Sequence, residues 1–309
     1  MKKKQQRNNQ NDDRNEILPR GTADLICYKK NQIDNLFLKF CRYAYLSKGK
    51  VTPYFQIKQS NSNINKDKSR DKNSNKSSNA NNSIKNSLPI FDQTQRLLND
   101  LDSKTQYLLT TLNIQYRKFT IEQGDSRWAI GIGGVSPFGN LSVSTLHPVY
   151  GIPYIPASTL KGLMRHCWIE INCNGDNDAE EVLRLFGSSE NETPKDELEH
   201  ENRMGQLIFF DSYPDAKCNG TLYRDVITPL YPLYYNNFGG KPPTDDQKPV
   251  PIEFICIENM QFNIYIGSYE PLSNDEKSKL ENTLSYVFSE QGIGAKTSLG
   301  YGRGKLKFV

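Results

Sequence analysis

Five glycines among the last eighteen residues set the terms on which this chain can fold. Residues 292–309 read GIGAKTSLGYGRGKLKFV. Gly292, Gly294, Gly300, Gly302 and Gly304 are interleaved with Lys296, Thr297, Ser298, Tyr301 and Arg303, with no acid among them. A helix-like pattern precedes the run, and its tail, Lys305-Leu306-Lys307-Phe308-Val309, alternates as a strand does. The chain therefore closes on a helix, a loop rich in positive φ, and a last strand. In such a loop glycine amides can approach an anionic backbone. Lys296 and Arg303 supply charge, Thr297 and Ser298 hydroxyls, and Tyr301 a ring face for stacking. Spacing excludes the two common nucleotide loops. Ala295 stands where a Walker A loop needs glycine before Lys-Thr, and Thr297 stands where a dinucleotide fingerprint needs its third glycine.

A second segment, residues 150–165, reads YGIPYIPASTLKGLMR. Its prolines stiffen the approach to a helix expected over 159–172, with Ser158 as N-cap. Ser158 and Thr159 offer amide and hydroxyl donors where the helix dipole favours an anion, and Lys161 and Arg165, four residues apart, share a face. Gly162 permits close approach of a backbone. An ordinary capped helix with a solvated cationic side fits the same residues. A third segment, residues 225–235, reads DVITPLYPLYY; Tyr231, Tyr234 and Tyr235 can stack on bases or pack against protein. His147 and His166 are the histidines within these structured stretches, and neither is spaced from a nucleophile or a second proton carrier as acid–base catalysis requires. No catalytic residue is assigned.

Composition narrows the class. Mean hydropathy is −0.69, but two polar segments account for much of that. Residues 1–15 are rich in Lys, Asn and Gln, and residues 58–87 hold nine Asn, eight Ser, six Lys and one Arg. Neither can bury enough apolar surface to offset chain entropy, so a disordered basic tail and a disordered insertion are expected, leaving 16–309 as a single domain. The formal charge of +4 belongs to these segments, which carry +3 and +5; the remainder is about −4. Global charge therefore does not argue for nucleic acid, whereas local charge does. Residues 292–309 carry +4, and residues 170–201 hold eleven acids against two bases. The six cysteines are scattered, with no CxxC pair, so neither a zinc site nor a disulfide framework is expected. No metal and no cofactor is called for, no apolar run reaches membrane-spanning length, and a cytoplasmic protein with reduced thiols is expected.

Apolar spacing predicts helices over 31–46, 92–109, 159–172, 178–186 and 274–289. Strands are expected at 127–133 and 205–210, over 252–266 as one long strand or a hairpin, and at the C-terminus. From 127 onward the order is β-α-β-β-α-β, an α+β fold of ferredoxin-like or RNA-recognition topology, with helical insertions and a glycine-rich loop before the last strand. That topology puts the glycine loop at one end of the sheet, where the start of the first helix can approach it.

The three segments in this order resemble the RAMP superfamily of CRISPR-associated proteins, and within it the family of sixth subunits of type III-B (Cmr) effector complexes. The matching stretches are LHPVYGIPYIPASTLKGLMR, LFG at 185–187, GQLIFFDSYP at 205–214, DVITPLYPLYY, PVPIEFICI at 249–257 and GIGAKTSLGYGR. Ala157 stands where the family often has glycine, and Leu230 where histidine often follows Thr-Pro, so no role of that histidine carries over. The resemblance implies a modified RNA-recognition-type fold that binds guide RNA without nuclease chemistry. Its place would be near the guide's 3′ part, with the guide and target RNA duplex and the other Cmr subunits as partners. Two other functions fit the same residues. A metal-independent endoribonuclease would need His147 or His166 beside the glycine loop, and a protein-only scaffold would use that loop to dock a partner.

Overall fold

The computed structural model describes residues 15–16, 35–41, 44–47, 50–53, 92–132, 141–143, 146–188, 203–218, 220–231, 233–234, 242–249 and 251–307. The insertion expected at 58–87 and residues 1–14 of the expected tail lie outside them. Asn15, which composition assigns to the tail, forms β1 (Asn15–Glu16) against β2 (Ala44–Ser47), and β2 pairs in turn with β3 (Lys50–Pro53). The helix expected over 31–46 is shorter: α1 is Leu36–Cys41, and from Ala44 the chain is strand. Ala44, the last residue of the apolar spacing that suggested a longer helix, falls in β2, where cross-strand pairing overrides helical spacing.

The centre of the fold is an antiparallel pair, β4 (Gln115–Glu122) and β12 (Gln261–Ser268), in register from Gln115↔Ser268 to Glu122↔Gln261. β13 (Lys305–Lys307) flanks β4, and β8 (Leu207–Phe209) and β9 (Tyr213–Pro214) flank β12, giving the order β13-β4-β12-β8 with every pairing antiparallel. The first strand is thus 115–122, not 127–133. Residues 128 and 129 make only isolated bridges, because their backbone is shared between two partners described below.

Alternation along β4 and β12 builds two different faces. Phe119, Ile121, Phe262, Ile264 and Ile266 are buried against α3 (Ala157–Asn172) and α5 (Asn274–Tyr286). From α3 come Leu160, Met164, Cys167 and Trp168, and from α5 Leu280 and Leu284. The expected apolar stripe of α3 is therefore the one that packs. The opposite face carries Lys118, Thr120, Asn263 and Tyr265 and lies under α2 (Asp92–Thr111). There Asp102 accepts hydrogen bonds from Lys118 (3.0 Å), Tyr265 (2.7 Å) and Asn263 (3.3 Å). The main sheet is covered on both sides.

A second sheet pairs β10 (Thr221–Ile227) antiparallel with β11 (Ile252–Glu258), and β11 parallel with β5 (Leu141–Val143). The strands expected over 252–266 are therefore neither one strand nor a hairpin. β11 and β12 follow each other in the chain but belong to different sheets. The break falls at Asn259, whose φ is +56°, a value asparagine tolerates better than most residues. Gln123 holds the corner: its backbone amide donates to the Met260 carbonyl (3.1 Å), and its side chain accepts from the Met260 amide (3.0 Å). The remaining elements are α4 (Glu180–Phe186), as expected, and the short pair β6 (Gly187–Ser188) and β7 (Arg203–Met204).

Candidate nucleic-acid interface

The glycine loop is moulded on residues 126–129. Trp128 pairs its backbone with Ile257 of β11 in both directions (3.0 and 2.8 Å), so one edge of this segment extends the second sheet. Its other edge holds the loop. The Gly302 amide donates to the Arg127 carbonyl (2.8 Å), the Ala295 amide to the Ala129 carbonyl (2.9 Å), and the Trp128 indole to the Arg303 carbonyl (2.7 Å). Ser126 Oγ donates to the Gly300 carbonyl (2.8 Å) and accepts from the Arg303 amide (3.1 Å). The loop closes on itself through Ile293 to Gly302 (2.8 Å) and anchors below through Gly304 to Phe288 (2.8 Å).

This alters the role of the glycines. A Cβ at Gly302 would lie 2.1 Å from the Ile293 carbonyl oxygen, and one at Gly294 would lie 2.6 Å from that of Ala129, both at positive φ. Those residues are glycine because protein backbone passes there, and most of the loop's amides are spent inside the protein. The expectation that they wrap an anion does not describe their hydrogen bonding. Gly300 differs: its φ is +87°, and a Cβ there would meet no atom within 4 Å, so its surroundings are open. Ser298, Gly300 and Arg303 are exposed, Thr297 is half-buried, and Leu299 is 73% exposed at the tip.

Beneath the loop lies a charged and aromatic cluster. Asp225 of β10 accepts from the Tyr301 hydroxyl and from Arg127 (3.0 Å), and Arg127 also bonds Glu258 and lies 3.7 Å from the centre of the Tyr223 ring. Lys296, itself at φ +64°, sets its ammonium 4.0 Å from the Phe254 ring centre and 5.5 Å from that of Tyr301, a cation–π arrangement. Burial lowers the Lys296 pKa against the pull of Asp225 and Cys256. Burial raises the Asp225 pKa, but hydrogen bonds from Tyr301, the Val226 amide and Arg127 outweigh it, so the carboxyl sits below its usual range. Burial and the bond to Asp225 push the Tyr301 phenol up to about 12. Two residues expected to meet RNA, Lys296 and Tyr301, are therefore engaged with the protein. Arg127 and Asp225 carry no motif as partners in the sequence, though each lies in a stretch notable for other reasons.

The second expected segment stands at the same end of the main sheet. Ser212 bridges Ile155, and β9 pairs with Phe262 and Asn263, so α3 starts where β4 ends; Lys305 begins β13 opposite Glu122 at that end. β4 and β12 intervene, which separates the two edges by on the order of 15 Å. Ser158 and Thr159 are exposed in the first turn of α3, Lys161 and Arg165 are half-buried on its side, and Gly162 is exposed with open space around it. Ser158 is not the N-cap. The cap position is Pro156, and Asp211 takes the orphan role by accepting from the Ala157 amide (2.8 Å). Among the described residues, Lys161 and Arg303 have no ion-pair partner.

His147 belongs to neither segment. Its Nδ1 accepts from the amides of Val149 (3.3 Å) and Tyr150 (3.2 Å), and its ring stacks on Tyr150 at 4.3 Å, with Tyr154 and Tyr213 around it. Burial lowers its pKa against the opposing pull of Asp211, and its two hydrogen bonds from backbone amides make it a turn residue. His166 is exposed on α3. Among the described residues, the polar and ring partners of His147 are Val149, Tyr150, Tyr154 and Tyr213, none of them in the glycine loop. Tyr231 is half-buried and Tyr234 is 40% exposed on the excursion after β10, and Tyr235 lies outside the described residues. Among the described residues there is no cluster of three His, Cys, Asp or Glu fit for a metal, and no helix is long and apolar enough to cross a membrane.

Comparison with known proteins adds to this geometry. The chain is 28% identical over 243 residues to the CRISPR system Cmr subunit Cmr6 of Pyrococcus furiosus, covering 63% of this chain and 69% of that one. It is 32% identical over 157 residues to the CRISPR system CMR subunit Cmr6 of Saccharolobus solfataricus, covering 50% of this chain and 45% of the other. A chain in the cryo-EM structure of the type III-B Cmr-beta bound to cognate target RNA superposes with a TM-score of 0.51 at 25% identity. That match spans 69% of this chain and 65% of the other. The family model of the RAMP superfamily matches residues 127–306. It opens at the arginine on which the glycine loop is moulded, closes in the strand that follows that loop, and takes in more than half the sequence: the chain belongs to the RAMP superfamily.

Proposed function

We propose that this chain is a non-catalytic, guide-RNA-binding subunit of a type III-B CRISPR effector ribonucleoprotein that serves antiviral defence. In this reading it works in the cytoplasm beside other Cmr subunits, near the guide's 3′ end, where the guide pairs with target RNA. The observation that carries the proposal is the superfamily match itself, which spans the glycine loop, its mould and the start of α3 as one unit. Similarity to proteins named Cmr6 supports the choice of complex. The sheet order, last-first-third-second with paired helices on one face, supports a ferredoxin-like, RNA-recognition-type plan.

Domains of that plan that read RNA on the open sheet face stack bases there, but here α2 covers that face and Tyr265 is buried beneath it. The reading therefore assigns RNA to the rim of the sheet. There Arg303, Ser298, Thr297 and Gly300 of the loop, and Ser158, Thr159, Lys161 and Arg165 of α3, offer cations, hydroxyls and the dipole of a helix start. Such contacts hold a phosphate backbone without reading sequence. Gly292, Gly294 and Gly302 serve as the loop's frame, and Lys296 and Tyr301 as its floor.

The test is RNA affinity across a salt series for the wild type and for Lys161→Ala with Arg303→Ala, using an unstructured RNA oligonucleotide. Two phosphate contacts are expected to reduce the slope of log K on log salt by about 1.4, at roughly 0.7 each for single strands, with similar weakening for every sequence. Unchanged affinity and slope would remove the RNA assignment. The same preparations are expected to leave the oligonucleotide uncut. Metal-independent cleavage lost in a stable His147→Ala or His166→Ala variant would establish an endoribonuclease instead.

A further inference from the structure

We infer that Asp225 is the positioning residue of the glycine loop, and that through it the β10–β11 hairpin and the RNA-contacting loop act as one unit. This rests on the RNA-binding reading above and concerns how that site is held.

Three observations converge on it. The Asp225 carboxylate is half-buried between the Tyr301 hydroxyl and the Arg127 guanidinium, joining groups 76 and 98 residues away in the chain. Arg127 is fixed in turn by Glu258 and by the Tyr223 ring, and its carbonyl is the acceptor for Gly302. The carboxylate therefore touches both the loop and the mould of the loop. Register then places Asp225 opposite Phe254, whose ring underlies Lys296. One face of the hairpin thus supplies the acid, the aromatic floor and Tyr223 together. Tyr301 lies between Gly300 and Gly302, each in the left-handed region. Backbone bonds hold Gly300, Gly302 and Arg303 against Ser126, Arg127 and Trp128. The hydroxyl–carboxylate bond adds the side-chain tie that fixes the Tyr301 ring between the two glycines, next to Arg303.

The sign of the effect separates this from simple electrostatics. An acid beside an RNA site repels phosphate, so on Coulomb grounds alone its removal should tighten binding. As a positioning residue its removal should weaken binding. Losing a charge-assisted bond of this kind corresponds to roughly a tenfold change in an equilibrium constant.

The experiment measures affinity for the same oligonucleotide, over a salt series, for Asp225→Ala, Tyr301→Phe, the double variant and Asp225→Asn, with melting temperatures alongside. Asp225→Ala and Tyr301→Phe are each expected to weaken binding about tenfold. The double variant should be no weaker than Asp225→Ala alone, because loss of the carboxylate already removes the Tyr301 bond along with that of Arg127. Asp225→Asn, which can still accept from Tyr301, should restore most of the affinity. The salt slope should hold, since no phosphate contact is deleted. Should Asp225→Ala fail to fold, Tyr301→Phe keeps the ring and carries the test alone. Unchanged or tighter binding by Tyr301→Phe, or by a stable Asp225→Ala, overturns the inference; if Lys161→Ala with Arg303→Ala still loses binding, the RNA reading survives that failure. If the latter pair also leaves affinity unchanged, both fall.

Discussion

At the scale of single residues, glycine in the C-terminal loop answers two different demands that look alike in sequence. Gly302 is fixed by a carbonyl oxygen 2.1 Å from where a Cβ would stand, whereas Gly300 has only its φ of +87° to satisfy. Gly300→Ala is expected to cost about 1–2 kcal/mol, the penalty of a left-handed L-residue. Gly302→Ala adds a backbone collision and should cost roughly 3 kcal/mol or more. Urea denaturation of both variants checks this; equal costs would mean the loop backbone yields freely. The sequence showed that positive φ was needed here but not why, since a glycine crowded by protein and one facing solvent have the same letter. Lys296 and Tyr301 were legible as a cation and an aromatic. Their commitment to Phe254 and Asp225 was not, because those partners arrive from another sheet.

Among elements, what periodicity could see and what it could not are divided cleanly by α3. Its buried stripe of Leu160, Met164, Cys167 and Trp168 follows from helical spacing and was legible. Its cap was not. Ser158 satisfies the local rule for an N-cap, but Pro156 already sets the extended entry, and the acceptor for the first amide is Asp211, 54 residues later. Asp211→Ala is therefore expected to destabilise by about 1–2 kcal/mol, while Ser158→Ala stays within about 0.5 kcal/mol. Denaturant midpoints of the two variants decide between them, and the reverse order would restore Ser158 as the cap. The same limit explains the misplaced first strand. Gln115–Glu122 carries polar residues on the face under α2, so it lacked the apolar signature expected of a strand covered on both sides. Residues 128–130 are apolar because they are a buried seam between two sheets.

For the whole molecule, the α+β class and the sheet-end placement of both conspicuous segments were legible from element order. The division into two sheets was not, since Asn259 is the sole local sign of the break. We propose that the polar stretch 58–87 is an insertion dispensable for folding. With almost no apolar side chain it can add little to a core. Its deletion is expected to shift the melting temperature by no more than a few degrees, roughly what 1 kcal/mol produces in a domain of this size. A larger fall would mean the segment is part of the folded unit. The corner at Asn259 has a further consequence, a mechanical one. Because β11 runs into β12 with two residues between them, a load applied to the far end of the hairpin travels along one covalent line into the middle of the main sheet. There β12 is gripped on both sides by antiparallel neighbours. The glycine loop spans that line: it is bonded to the seam beside Gln123 and, through Tyr301 and Lys296, to Asp225 and Phe254 along the hairpin, so the load path passes beneath it.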